Sequence, residues 1–254
     1  MAKTALITGA SSGIGREIAK ELSRRGFRVI LAARREERLK ELAQELSGES
    51  RIVVCDLSKR EECVRLYEEV RNERLTVLVN NAGFGKLGDF TEISLEDELN
   101  MIDTNITALH ILTKLYLKDF VEEDRGYILN VASSAGLMPG GPFMATYYAT
   151  KAYVTSLTGA IYEELQTRGS RVSISALCPG PVDTEFNSVA NAEFGVKSIT
   201  AEYCAQTAVK GMFARKLMII PERSISAAAK ASGLAPRKLA LAVTGRLQSA
   251  KKKF

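Results

Sequence analysis

A single histidine, His110, stands in this chain of 254 residues. Hydrolysis by an activated serine or cysteine in its usual form needs a histidine base. His110 lies inside Ala108-Leu109-His110-Ile111-Leu112, where it reads as a packed or surface helix residue. Cysteine is scarce too. Cys55, Cys63, Cys178 and Cys204 form no Cys-x-x-Cys pair, and each sits in apolar or helical sequence. They read as reduced, buried thiols rather than disulfides. With neither a histidine cluster nor paired cysteines, a zinc site is excluded, and no metal is expected. No run of about 18 apolar residues exists, so no transmembrane helix is expected. The N-terminus passes from Met1-Ala2-Lys3 straight into a strand-like run. That is neither a signal nor a transit peptide, and it points to the cytoplasm. Acidic charge is missing from one end. Residues 215–254 hold ten Lys/Arg against Glu222 alone, a net of +9, while the whole chain carries +5. The basic character therefore belongs to the tail, and no broad nucleic-acid-binding face is expected.

What is present alternates. Short apolar runs at 4–8, 27–33, 51–55, 75–79, 127–131, 171–177 and 217–220 predict strands. Between them, 13–25, 36–46, 59–72, 95–120, 146–167 and 201–213 have helical character. Gly26, Gly126 and Gly169 stand where helices stop. Strict β/α alternation with near-continuous apolar strands implies a single α/β domain: a doubly wound parallel sheet of about seven strands, a Rossmann fold, with helices on both faces. Its ligand is expected at the C-terminal strand ends. The domain is placed at 1–221, followed by a basic helical extension at 222–254.

Two strings carry chemistry. Thr8-Gly9-Ala10-Ser11-Ser12-Gly13-Ile14-Gly15 sits between the first strand and the first helix. There Gly9 takes the turn, Gly13 lets the backbone approach a pyrophosphate, and Gly15 lets helix and strand pack closely. The helix N-terminus and the Ser11 and Ser12 hydroxyls face the phosphates. The second strand ends at Ala33, followed by Arg34 and Arg35. An NAD-binding chain tends to carry an acid there, whereas two guanidiniums suit the 2′-phosphate of NADP(H). The second string is Tyr147-Tyr148-Ala149-Thr150-Lys151. Tyr147 and Lys151 share one helix face, and an ammonium beside a phenol lowers its pKa. Alone that spacing is common.

In company it is not. Thr8–Gly15, Asp56, Asn80-Asn81-Ala82-Gly83, Asn105, Asn130-Val131-Ala132-Ser133, Tyr147 with Lys151, and Pro179-Gly180 follow one another in order between residues 4 and about 220. In this the chain resembles the short-chain dehydrogenase/reductase family. The resemblance implies that Tyr147 is the general acid in reduction and the base in oxidation. It implies that Lys151 tunes Tyr147 and holds the nicotinamide ribose, that Ser133 stabilises the carbonyl oxygen, and that Asn105 supports a water linking Lys151 to solvent. Ser133 is preferred to Ser134, and Tyr147 to Tyr148, by spacing. Asp56 and Leu57 are expected at adenine, with Ile14, Asn81, Ala82, Gly83, Pro179, Gly180, Val182 and Thr184 along the cofactor.

Substrate choice is expected in the loops. Residues 136–144 carry Met138, Phe143 and Met144 but no charge, and 185–198 carry Phe186, Val189, Phe194 and Val196. That suits a hydrophobic, steroid-like or 3-oxoacyl ketone, with Phe143 and Phe186 as substrate contacts and Lys86, Asn187 or Lys197 available for a polar end. The tail reads as two helical pieces, 226–232 and 236–248, with Leu239, Val243 and Leu247 on one face, facing an anionic membrane surface or a partner subunit. The expectation is an NADP(H)-dependent ketone/alcohol oxidoreductase, a homodimer or homotetramer by family habit. A 3-hydroxy acid dehydrogenase, a non-catalytic NADP(H)-binding protein and a membrane-associated interaction protein stay open.

Overall fold

The computed structural model describes residues 3–186 and 198–249. Seven parallel strands form one sheet: β1 (Lys3–Thr8), β2 (Phe27–Ala33), β3 (Ser50–Val54), β4 (Leu75–Asn80), β5 (Tyr127–Val131), β6 (Ser173–Leu177) and β9 (Met218–Ile219), in the order β3-β2-β1-β4-β5-β6-β9. The chain winds outward from β1 to β3, then crosses back to β4 on the other side of β1. That reversal opens a crevice at the C-terminal ends of β1 and β4.

Both sheet faces are covered, which is why the strands are apolar at nearly every position. Ala5 and Ile7 of β1 and Val29 and Leu31 of β2 face α1 (Gly13–Arg24) and the helix Ala201–Phe213. Their neighbours Leu6 and Ile30 face the other way, with α3 (Arg60–Val70), α5 (Leu109–Glu122) and α6 (Ala145–Thr167). Side chains two apart share a face, so a strand buried on both sides has no polar position to show. α2 (Glu36–Glu45) completes the first layer through Leu39 and Leu42. No helix among the described residues is long and apolar enough to cross a membrane.

Three features depart from the sequence expectation. The long helix breaks into α4 (Leu95–Ile102), a π-helical turn over Asp103–Ala108, and α5. A widened turn of this kind often marks a functional position, and Asn105 sits inside it, fully buried. A second, two-stranded sheet pairs β7 (Val182–Asp183) with β8 (Ile199–Thr200). Two-residue strands carry no readable period. The first tail helix is longer than expected and the second is shifted by one residue: with Ala201–Phe213 numbered α7, they are α8 (Arg223–Leu234) and α9 (Arg237–Ser249).

Candidate active site

One cleft of about 630 Å³ runs along the C-terminal strand ends. The turn after β1 forms its floor. Gly9 has φ +64°, and a Cβ there would stand 2.8 Å from Ala82 Cα, so only glycine fits. Thr8 and Asn81 hold this turn to the end of β4. Thr8 Oγ1 accepts from the Asn81 and Ala82 backbone N–H groups at 2.9 and 3.1 Å. Asn81 Nδ2 donates to the carbonyls of Thr8 and Gly9 at 3.0 and 3.2 Å. Ser12 takes an extended conformation just before α1, yet its side chain caps no helix N–H, and no acid occupies the first turn. The first turn thus presents its N–H groups and dipole to the cleft, as a phosphate-holding cradle requires.

Arg35 forms the outer rim of this cradle. Its guanidinium donates to Ser12 Oγ at 2.7 Å and Ser11 Oγ at 3.1 Å, and pairs with Glu185 at 3.0 Å. Arg38 pairs with the same carboxylate. The two arginines hold the Glu185 carboxyl below its ordinary range, Arg38 contributing most. Glu185 is a site residue the sequence did not reveal; a lone acid far along the chain carries no local signal. Arg34, Asp56 and Leu57 line the same end.

The chemistry-bearing groups meet at the other end. α6 brings Tyr147 and Lys151 onto one face, both buried. Ser133 follows β5, where its hydroxyl accepts from the Ala135 N–H at 3.1 Å and lies within hydrogen-bonding reach of the Tyr147 phenol. Lys151 Nζ donates to the Val131 carbonyl at 2.9 Å and stands 5.8 Å from the Tyr147 ring centre. Asn105 pins the loop segment after β4 beside them. Its Oδ1 accepts from Phe84 N–H at 3.0 Å, and its Nδ2 donates to Phe84 O at 2.9 Å and Thr150 Oγ1 at 3.1 Å. Gly83 is squeezed between: a Cβ there would come 2.8 Å from Asn105 Oδ1 and 3.4 Å from Lys151 Nζ.

Burial dominates both titrating groups. It pushes the Tyr147 phenol up to about 12, with the Ser133 hydrogen bond opposing it. It holds the Lys151 ammonium down to about 8. The phenol thus lies above its ordinary value with burial as the largest cause, while the amine is directed at the Val131 carbonyl. The result is a phenol that stays protonated through the neutral range. Cys178, also buried, lies near Lys151, and its thiol is pushed up to about 12 by burial.

The expected residues are gathered unevenly. Gly9, Ser11, Ser12, Gly13, Ile14, Arg34, Arg35, Asp56, Leu57, Asn81, Ala82, Gly83, Ser133, Tyr147, Lys151, Pro179, Gly180, Val182, Thr184 and Phe186 line the cleft. Asn105 and Gly15 stand behind the wall, Gly15 against the Asn81 side chain and the Gly9 carbonyl. Phe143 does not line the cleft among the described residues. Its backbone has φ +65° and its carbonyl accepts from Gly88 N–H at 2.9 Å, closing the loop, while buried Met144 takes the place on the cleft. Lys86 pairs with Asp97 and does not line the cleft either. Asn187, Val189, Phe194, Val196 and Lys197 lie outside the described residues.

The tail supplied residues that sequence reading missed. Ile225 of α8 and Thr244 and Gln248 of α9 line the cleft. The Glu222 carboxylate accepts from Gly180 N–H at 3.3 Å. Among the described side chains of α9, Ala240, Thr244 and Gln248 are buried, while Leu239 and Val243 are exposed; Leu247 lies outside them. The face turned to the protein is thus the small and polar one, and Leu239 and Val243 stay exposed.

Comparison with known proteins agrees with this geometry. A family model described as short chain dehydrogenase matches residues 3–194. A 3-oxoacyl-acyl-carrier-protein reductase of Rickettsia bellii is 37% identical over 191 residues, covering 75% of this chain and 77% of its own. Among solved structures, a short-chain dehydrogenase from Sphingobium yanoikuyae in complex with NADPH superposes with a TM-score of 0.82 at 30% identity, covering 93% of this chain and 94% of that one. A short-chain dehydrogenase/reductase from Burkholderia phymatum in complex with NAD gives 0.82 at 25% identity, covering 90% and 92%.

Proposed function

This chain belongs to the short-chain dehydrogenase family of oxidoreductases, and we propose that it interconverts a hydrophobic ketone and a secondary alcohol with NADP(H). The observation that carries this reading is the meeting of Ser133, Tyr147 and Lys151 in the same cleft as the glycine turn after β1. The cradle fits a dinucleotide: an uncapped helix N-terminus, two serine hydroxyls and a Gly9 turn that a Cβ would fill. NADPH, when bound, supplies the hydride.

The chain's own residues do the rest. Tyr147, protonated up to about 12, holds the proton for the carbonyl oxygen. Ser133 donates to the same oxygen as negative charge develops, a contact stronger in the transition state than in the ground state. Lys151 places a positive charge beside the phenol and favours the phenolate left after transfer. Asn105 fixes the Phe84 backbone and so the cleft wall facing Lys151.

NADP(H) over NAD(H) rests on Arg34 and Arg35, which line the adenosine end where no acid follows β2. A hydrophobic substrate rests on Phe84, Met138, Met144, Phe186 and Ile225 along the wall. Residues 222–254 are taken as an extension, of which Ile225, Thr244 and Gln248 complete that wall, and the working form as a homo-oligomer.

The test is NADPH oxidation, followed at the nicotinamide absorbance, with a panel of ketones. Tyr147→Phe is expected to abolish turnover while NADPH binding survives. Turnover kept in that variant and lost in Tyr148→Phe would assign the proton to the wrong phenol.

A further inference from the structure

The far wall of the cleft holds a hydrogen-bonding pair that the proton-transfer scheme leaves unused. Gln248, on the last described turns of α9, is 3% exposed and lines the cleft. Its amide hydrogen-bonds the Tyr148 hydroxyl, across 100 residues of sequence. The other end of the amide, Oε1, is buried and has no partner among the described residues. A buried amide oxygen without a partner is unfavourable, and such a group in a native wall calls for something that satisfies it.

The pair is packed against a loop. The Tyr148 ring sits against Gly141, where a Cβ would clash with its Cε2. α9 rests on the same loop, with Leu241 against Gly140 and Gly245 against Pro142. Gln248 and Tyr148 therefore face the cleft as one unit.

What the unit recognises follows from its donors and acceptors. If the amide N–H donates to Tyr148, the phenol hydrogen is left to donate and Oε1 to accept. If the amide is turned over, Tyr148 donates to Oε1, leaving an amide N–H to donate and the phenol oxygen to accept. Either way the pair offers at least one donor and one acceptor. A carboxylate only accepts and an ammonium only donates, so neither satisfies it. No charged side chain answers them, either. Among the described residues, the charged ones lining the cleft are Lys151 and, at the adenosine end, Arg34, Arg35, Asp56 and Glu185.

We propose that Gln248 and Tyr148 form a recognition site for a neutral group that both donates and accepts a hydrogen bond, a hydroxyl or a carboxamide, carried by the substrate away from its reacting carbon. The substrate class is thus an apolar ketone or alcohol with a second, uncharged polar end. This rests on the redox reading above and narrows it.

The test uses the full chain with NADPH and methyl ketones of stepped chain length, each ending in methyl, hydroxyl, carboxamide or carboxylate. At the length that spans the cleft, the hydroxyl or carboxamide compound is expected to exceed its methyl counterpart in kcat/KM by about tenfold. Whichever of the two is preferred names the group. In Gln248→Met the ratio is expected to collapse towards one, carried by KM rather than kcat. Tyr148→Phe, which keeps the ring on Gly141, is expected to do the same and serves if Gln248→Met fails to fold. Equal loss on every ketone would make Gln248 a packing residue and overturn the proposal, as would a wild type with no preference or one favouring the carboxylate. If the wild type reduces no ketone at all, the redox reading fails by itself. Calorimetric titration of the same compounds into wild type and Gln248→Met then decides the recognition site: tighter binding of the polar-ended compound in the wild type alone supports it, and equal binding refutes it.

Discussion

Replacing Lys151 with methionine is predicted to end turnover and stabilise the fold. Burial holds the Lys151 ammonium at about 8 against an ordinary 10.5. Each pH unit of such a shift corresponds to about 1.4 kcal/mol, so charging this group in the folded protein costs on the order of 3 kcal/mol. Methionine fills similar space without charge. It forfeits the hydrogen bond to the Val131 carbonyl, worth roughly 1 kcal/mol. The net gain of about 2 kcal/mol corresponds to a rise in Tm of roughly 4–8 °C for a chain of this size. The pH signature is more telling than the size. The unfolded chain keeps this proton until about 10.5 while the folded one releases it near 8. The wild type therefore gains stability as pH rises through that window, and the variant gains nothing from this position. Other groups titrate in both proteins and cancel in the difference. Calorimetric melting of the two proteins between neutral pH and pH 10 is the assay. A variant that melts at or below the wild type at neutral pH refutes the reasoning. So does a difference in Tm that stays constant across the window.

Other outcomes are expected at the opposite end of the cleft and behind it. Glu185→Gln, which removes the carboxylate now paired with Arg35 and Arg38, is expected to lower KM for NADPH by roughly two- to fivefold, the scale of exposed ion pairs. KM for NADH is expected to stay put, and a rise for NADPH would show that Glu185 does not compete for those cations. Arg34→Asp is expected to raise KM for NADPH far more than for NADH; equal effects would remove the argument for a 2′-phosphate site. Gly83→Ala forces a methyl to within 2.8 Å of Asn105 Oδ1. It is expected to cost about 1–3 kcal/mol of stability, as overpacking does, and to lower kcat at least tenfold by displacing the wall beside Lys151. Unchanged kcat with intact stability would mean that the wall yields freely.

The layered architecture was legible because its signals are local. Apolar runs at 27–33 and 127–131, each preceded by a glycine, correspond to β2 and β5 residue for residue, and the helical stretch 201–213 corresponds to α7. The glycine turn and the Tyr147–Lys151 spacing were equally plain, since each needs only neighbours in sequence. The π-helical turn at Asn105 was not, because nothing in Asp103-Thr104-Asn105 differs from ordinary helix sequence. What holds it is the Phe84 backbone and Thr150, both distant along the chain. The tail shows the same limit in reverse. Periodicity marked Leu239 and Val243 for an outward surface but gave no sign that the fold buries Ala240, Thr244 and Gln248, whose small and polar side chains fit the loop beneath.

The chain alone determined that β and α segments alternate, that a glycine turn opens the first helix, and that a phenol and an amine share one helical face. Those are properties of bonds and spacings within a few residues. Only the folded molecule decided that burial is the largest influence on the phenol's proton, that Glu185 spans the cleft to the arginines, and that Gln248 closes its far wall. Each of those depends on which groups lose water together, and exclusion of water is set by packing between distant segments.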